Sequence, residues 1–394
     1  MKLIPLWPLM EMSRDLRAQG INVAHGAYNM NSLVHIKAAI DVAQELNSPL
    51  IAQGSEGANG WYSGRPDFRN ATLDEKMKGA RKIAADVSAY AAQASVPVVL
   101  HLDHGVDPDF AIAAIEEGYT SVMYDGSSLP LEQNIANTRR VVEAAHKKGA
   151  SVEGEIGGLA GAEEGIEHET AKYTDPDEAE RYVAETGVDA LAISYGTSHG
   201  EFKGKVNLKL EIAGEVYGRI RKNGYQCELV SHGSSSLPEH LLSGLVEQIR
   251  AAGYADQFKR PDPGVPVEML MKASRYGISK INVDADIRLA TTMYVWEYFN
   301  KNADARKDPV TGKMWELMIA EPSKSRPRYY MTPIQQQMIA EDRSNPHVSG
   351  ILDCIAEGVK LVLRERIQQL GGAGRAGEVE VRGIEDMARE YAAA

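Results

Sequence analysis

Short apolar runs alternate along this chain with longer stretches of helical period, the rhythm expected of successive βα units around a parallel sheet. Eight runs read as strands: "INVAHGAYN", "PLIAQGS", "VPVVLHLDHG", "SVMYDG", "SVEGEIG", "ALAISYGTS", "CELVSHGSS" and "SKINVDAD". Amphipathic segments lie between them, such as "LVHIKAAIDVAQELN", "IANTRRVVEAAHKKG" and "DPDEAERYVAETG", and many close on Gly or Asn as helix C-termini commonly do. Eight such units are enough to close a parallel sheet, so the predicted fold is α/β: a (β/α)8 TIM barrel with loop insertions and a C-terminal helical extension. An open doubly wound sheet shares this periodicity, and the choice rests also on where the chemistry falls. Residues 255–264 and 301–326 read as inserted loops, and an amphipathic segment over 349–370 precedes a polar tail. The expected division is a catalytic barrel over residues 1–300, with an insertion loop, C-terminal helix and tail over 301–394 packed on the barrel or on a dimer partner.

Three of the apolar runs end alike, in Asp103-His104-Gly105, Ser198-His199-Gly200 and Ser231-His232-Gly233. In a barrel of this kind the residues that finish the strands line one mouth. Asp103, His104, Asp125, Glu155, His199, His232, Asn282 and Asp284 all stand at such ends, so side chains spread over much of the chain converge. A single histidine would read as a satisfied core or loop residue; three at matching strand ends reverse that reading. Three imidazoles without thiolates, with carboxylates close by, describe a catalytic zinc site. The glycine after each histidine lets backbone approach a ligand without a Cβ in the way. His101 reads as core or as a support for the site, and the other histidines as structural. The loops "HGSSS" and "NVDADIR" follow the last two strands, where barrels of this type often bind phosphate through backbone N–H groups, and Lys203 offers charge nearby.

Bulk properties narrow the classes. A formal charge of −12 over 394 residues argues against a general binder of nucleic acid or anionic membrane, which needs a basic footprint. Two cysteines, Cys227 and Cys354, make no disulfide framework and fit a reducing compartment. No cleavage signal and no long apolar span are seen, and the expectation is a cytoplasmic protein.

The blocks "AYNMNS", "QGSEGA", "HLDHG", "TSVMYDGS", "SVEGEIG", "TDPDEA", "GVDALAISYGTSHG", "LVSHGSSS", "GVPVEML" and "KINVDADIRLA" together resemble the class II metal-dependent fructose-1,6-bisphosphate aldolases, specifically their shorter, Calvin-cycle-like branch. The resemblance implies reversible cleavage of a ketose bisphosphate to dihydroxyacetone phosphate and glyceraldehyde 3-phosphate, a lyase of glycolysis and carbohydrate metabolism. It implies that His104, His199 and His232 hold a catalytic Zn2+, and that Asp125 and Glu155 belong to an alternative, more buried metal position. Asp103 matches the acid/base at the C4 hydroxyl. Glu163 matches the acid that exchanges the proton beside the carbonyl, with adjacent Glu164 as the alternative. Asn29, Ser55, Asn282 and Asp284 match substrate contacts. Gly200, Lys203, Gly233 and Ser235 match a phosphate and monovalent-cation region that holds sodium or potassium. Arg288 matches an arginine reaching the second phosphate from a neighbouring subunit, which requires a homodimer or higher homo-oligomer, and Arg328, in the block "SRPRYYMTP", matches the family's arginine.

Two positions depart from the family pattern. Ala285 stands where most relatives carry a hydroxyl residue on the first phosphate, a hydrogen bond worth ~1.5–3 kcal/mol. Arg326 stands where the family has an acidic residue that helps to separate sugar epimers, and an added arginine suits a more acidic aldehyde end. Fructose-1,6-bisphosphate is therefore the leading expected substrate, and tagatose-1,6-bisphosphate or another sugar phosphate the runner-up. A zinc-dependent hydrolase on the same barrel, or a barrel that binds metal without catalysis, is the alternative of another class.

Overall fold

The computed structural model describes residues 3–158, 160–163, 166–168, 172–199 and 206–393, and of 160–163, 166–168 and 199 the backbone alone. Eight parallel strands close into a barrel: β1 (His25–Asn29), β2 (Leu50–Ser55), β3 (Val98–Gly105), β4 (Ser121–Tyr124), β5 (Ser151–Ile156), β6 (Ala190–Ile193), β7 (Glu228–Ser231) and β8 (Ile278–Val283). Each strand pairs with the next, and β8 returns to β1 with His25 opposite Lys280 and Ala27 opposite Asn282. The eight apolar runs of the sequence are these strands. They read as apolar because they are buried on both faces, between the barrel interior and the surrounding helices.

Side chains alternate across a strand, so every second residue faces the interior. At the lower end these are Ala27, Ile51, Val99, Ala190 and Val230, all buried and packed with Leu6 and with Trp7, Leu9 and Met10 of the helix Trp7–Ala18, which plugs the floor. Higher up, interior positions become polar: Gln53, His101, Glu153 and Lys280, then Asn29, Ser55, Asp103, Glu155 and Asn282, every one of them buried or nearly so, while β6 continues with Ala192. The barrel is thus a graded core, hydrocarbon below and charge above.

The floor is also tied electrostatically. Arg17 donates to Glu228 Oε2 at 2.7 Å, Tyr217 OH at 2.8 Å, Ser279 Oγ at 2.7 Å and the Ser274 carbonyl at 2.6 Å. This joins the plug helix to the starts of β7 and β8. The C-terminal helix Ile384–Ala393 docks beside it: Tyr391 stacks on His146 with ring centroids 3.6 Å apart and donates to Asp189 Oδ1 at 2.7 Å.

Two inserted stretches carry more structure than their composition suggests. Within residues 301–326 lies the helix Thr311–Ala320, which buries Met314 and Met318, one turn apart. Lys, Asp and Pro on either side of that short apolar stripe masked it in the sequence. Residues 255–264 open on a single 3-10 turn and then brace the loop after β7, with Val265 N donating to Ser235 O at 2.7 Å and Leu237 N to Pro263 O at 2.8 Å. The amphipathic segment near the C-terminus is the helix Pro346–Gln369, capped by Asn345 and packed on the helices Ala285–Lys301 and Leu33–Glu45. No helix among the described residues is long and apolar enough to cross a membrane.

Arg17→Met would leave the Glu228 carboxylate without its counter-charge, and the loss of one partner of a buried pair costs about 3–5 kcal/mol. A clearly lowered urea midpoint is expected; an unchanged one would mean that this pair does not hold the floor.

Candidate active site

Strand β3 loses its regular register with β4 between Leu102 and Gly105, and the irregularity carries Asp103 and His104. His104 has φ of 44°, in the left-handed region that a non-glycine residue enters at a cost of about 1–3 kcal/mol. A bulge of this kind re-aims a side chain. Here it turns two consecutive residues toward the same mouth, which a regular strand would send to opposite faces.

His104 Nδ1 lies 2.8 Å from Asp125 Oδ2, just beyond β4. His232, at the end of β7 and fully buried, has Nε2 at 2.7 Å from Glu153 Oε1 on β5. Carboxylates accept, so both outer nitrogens donate, and in its neutral form each ring keeps its lone pair on the other nitrogen. Those two nitrogens, His104 Nε2 and His232 Nδ1, face each other at 2.9 Å. Two aligned lone pairs repel unless something positive stands with them. Donor atoms of Asp103, His104 and His232 lie within 4.8 Å of one another, as do those of His104, Asp125 and Glu155. Glu155 Oε2 is buried without a hydrogen-bond partner, 3.6 Å from His232 Nδ1. Nitrogen donors with adjacent carboxylates fit a divalent transition metal, and the orphaned oxygen fits a second position for it.

The electrostatics agree. Burial, with the negative charge of Asp125 next, pushes the Glu155 carboxyl well above the usual carboxylate range, although His104 opposes this. Burial would raise Asp125 also, but hydrogen bonds from His104 and Ser127 outweigh it and hold that group at about 2. Neighbouring carboxyls are thus driven apart. Burial, and then the charge on Lys280, push the His101 imidazole well below its normal value. His101 sits beneath the mouth with Nδ1 at 2.8 Å from Ser121 Oγ.

The other expected site residues fall as follows. Asp103 is buried and its Oδ1 accepts from Asn282 Nδ2 at 2.8 Å. Asn29 Oδ1 accepts from Gln53 Nε2 at 2.6 Å. Ser55 lies opposite Asp103 across β2 and β3, and its Oγ accepts from Ala58 N at 3.1 Å, capping the helix Glu56–Tyr62. Asp284 precedes the helix Ala285–Lys301 and pairs with Arg288 at 3.2 Å. Arg328 lies over the Phe68 ring at 4.6 Å. The backbone of His199 runs parallel to Gly161 in a small three-stranded sheet with Glu163, and Ser198 N donates to Gly233 O at 3.3 Å. The side chains of His199 and Glu163, and residues Glu164, Gly200 and Lys203 entirely, lie outside what is described.

The glycines after His104 and His232 have a further reason. A Cβ on Gly105 would meet Met123 O at 2.6 Å, and one on Gly233, whose φ is 58°, would meet the backbone of Ser198 at 2.7 Å. These glycines admit neighbouring protein backbone. Sequence reasoning also passed over Glu153 and Lys280. The signal was there: "HLD", "EGE" and "KIN" each place two polar residues at the period of two that faces a barrel interior.

A family model described as "Fructose-bisphosphate aldolase class-II" matches residues 10–349. A fructose-bisphosphate aldolase of Thermus caldophilus is 36% identical over 370 residues, covering 93% of this chain and 98% of its own. One from Nostoc commune is 34% identical and covers 100% and 96%. The crystal structure of a fructose-bisphosphate aldolase from Campylobacter jejuni superposes with a TM-score of 0.65 at 22% identity, over 94% of this chain and 96% of that one, and carries the likeness of fold.

Asp125 provides a pH test. Its folded value of about 2 lies below the ~3.9 of an unfolded aspartate, so its ionised form stabilises the fold above ~4 and that contribution fades as pH falls toward 2. Asp125→Asn is expected to be less stable than the parent at pH 6 by urea unfolding, with the gap narrowing as pH is lowered through 4. A gap that stays constant or widens would contradict this role.

Proposed function

The chain belongs to the class II fructose-bisphosphate aldolase family, and from that premise we propose that it cleaves fructose-1,6-bisphosphate reversibly between C3 and C4, giving dihydroxyacetone phosphate and glyceraldehyde 3-phosphate. The observation that carries the reading is the facing pair of imidazole nitrogens at 2.9 Å with Asp103 beside them. His104 and His232, with His199, would hold a divalent cation, and Zn2+ suits a nitrogen-rich set of donors. Bound there, it would supply Lewis-acid stabilisation of the negative charge that develops on the ketose oxygens as the bond breaks.

The chain's own groups account for the rest. Asp103 accepts the C4 hydroxyl proton as the C3–C4 bond opens. Asn282 occupies Oδ1 of that carboxylate, so Oδ2 is the oxygen presented to substrate. Glu163 is proposed to exchange the proton at the carbon beside the carbonyl. The loop at Gly233 and Ser235, braced by residues 255–264, and the start of the helix at Ala285 would cradle the first phosphate through backbone N–H groups, where Ala285 has no hydroxyl to offer. Gly200 and Lys203 complete this region in the proposal, with a monovalent cation.

At the aldehyde end, Arg288 and Arg328 are proposed to meet the second phosphate. Burial and the charges of Arg288 and Arg69 push the Arg326 guanidinium down. Those neighbours place the departure from the family pattern amid other cations, and a strongly anionic aldehyde end fits it.

Purified enzyme should release triose phosphates from fructose-1,6-bisphosphate faster than from its tagatose epimer or from ketose monophosphates. No cleavage of any of them would end the aldolase reading. Asp103→Ala should lower kcat by about 10²–10⁴-fold while the metal content stays at the parent level; near-parental turnover would remove Asp103 from the proton step.

A further inference from the structure

We propose that Lys280 is a positioning residue which, from inside the barrel, orients both Asp103 and His232, so that one buried ammonium sets the proton acceptor and a metal-facing imidazole together. The proposal rests on the roles given to those two residues above. Lys280 projects from β8 into the interior and is fully buried, as are Glu153 and His101. Its Nζ donates to Asn282 Oδ1 at 2.7 Å and forms an ion pair with Glu153 Oε2 at 3.0 Å. From these two contacts a closed circuit follows. On one side Asn282 Nδ2 reaches Asp103 Oδ1 at 2.8 Å, and on the other Glu153 Oε1 reaches His232 Nε2 at 2.7 Å. Asp103 is bonded in sequence to His104, whose Nε2 lies 2.9 Å from His232 Nδ1 and shuts the ring.

The direction of every hydrogen bond in this ring is dictated by a group that has no choice. An ammonium only donates, so Asn282 must turn its oxygen to Lys280 and therefore its NH2 to Asp103. A carboxylate only accepts, so Glu153 obliges His232 to donate from Nε2 and to keep its lone pair on Nδ1, the nitrogen that faces His104. Lys280 supports the second arm by balancing the charge of Glu153, which is wholly buried. Glu153 Oε2 accepts no hydrogen bond from either neighbour, but the ammonium at 3.0 Å is nearer than His101 Nε2 at 3.4 Å, so Lys280 is the counter-charge that steadies this carboxylate. Without Lys280 the Asn282 amide is free to turn over, which would aim its oxygen at Asp103 and displace the carboxylate. Glu153 would be left as an uncompensated charge behind His232.

The test compares full-length enzyme, Lys280→Met, Asn282→Ala and the double variant, with zinc affinity of the metal-free proteins measured by chelator competition and kcat and KM measured after reloading. Lys280→Met is expected to weaken zinc about tenfold and to lower kcat about tenfold or more with KM moved less than about threefold. In the Asn282→Ala background it should still weaken zinc but lower kcat little further, because that arm has already been cut. Losses in kcat that multiply independently, or parental zinc affinity in Lys280→Met, would overturn the proposal. Should Lys280→Met fail to fold, Lys280→Met with Glu153→Gln removes both charges; it is expected to fold and to keep both defects, and recovery of parental kcat and zinc affinity would equally overturn it. Zinc affinity needs no substrate, so it decides the matter even if the parent enzyme cleaves no ketose phosphate.

Discussion

Two imidazoles, each pinned from behind by a carboxylate, aim their inner nitrogens at one another across 2.9 Å. Neutral rings so arranged repel each other and a cation between them relieves that repulsion, so the upper barrel suits a bound positive charge. The costs are visible around it. His104 takes a left-handed backbone, Glu155 is buried with an oxygen unpartnered, and four further ionisable groups, Asp103, Asp125, Glu153 and Lys280, lie almost wholly out of solvent. Isolated charges of this kind would not survive burial, and they persist because each is met by another.

The lower barrel makes this possible. Its interior rows are aliphatic, closed by the plug helix Trp7–Ala18 and locked by Arg17 to the beginnings of β7 and β8. Strain at a functional site persists where the surroundings over-determine it. Here the eight-stranded closure holds β3 on both sides, so the irregularity at Asp103 and His104 cannot relax by sliding the strand. The inserted residues 255–264 act similarly at the opposite rim, where their backbone holds the Ser235 loop in place.

The barrel was legible because parallel strands buried on both faces leave uninterrupted apolar runs, and the mouth was legible because those runs end in residues that a core would exclude. His104, His232, Asp103, Asp125 and Glu155 do come together. The layer beneath was harder to read. Glu153 and Lys280 sit inside strands, where a polar residue reads equally well as an outward-facing position, and only the closed sheet shows that their row faces inward. Lys280 reaches Glu153 from another strand, a neighbour relation that no spacing along the chain encodes. The helix Thr311–Ala320 escaped for a different reason, since its stripe is one short turn amid loop-like composition. At Gly105 and Gly233 the sequence could not show one reason for glycine, because the atoms that crowd those positions belong to distant backbone.

X-ray absorption of the zinc-loaded enzyme bears most directly on the facing imidazoles. The account predicts nitrogen donors at about 2.0–2.1 Å with the outer scattering of histidine rings, weakened in His232→Ala. A shell of oxygens alone, unchanged by that substitution, would contradict it.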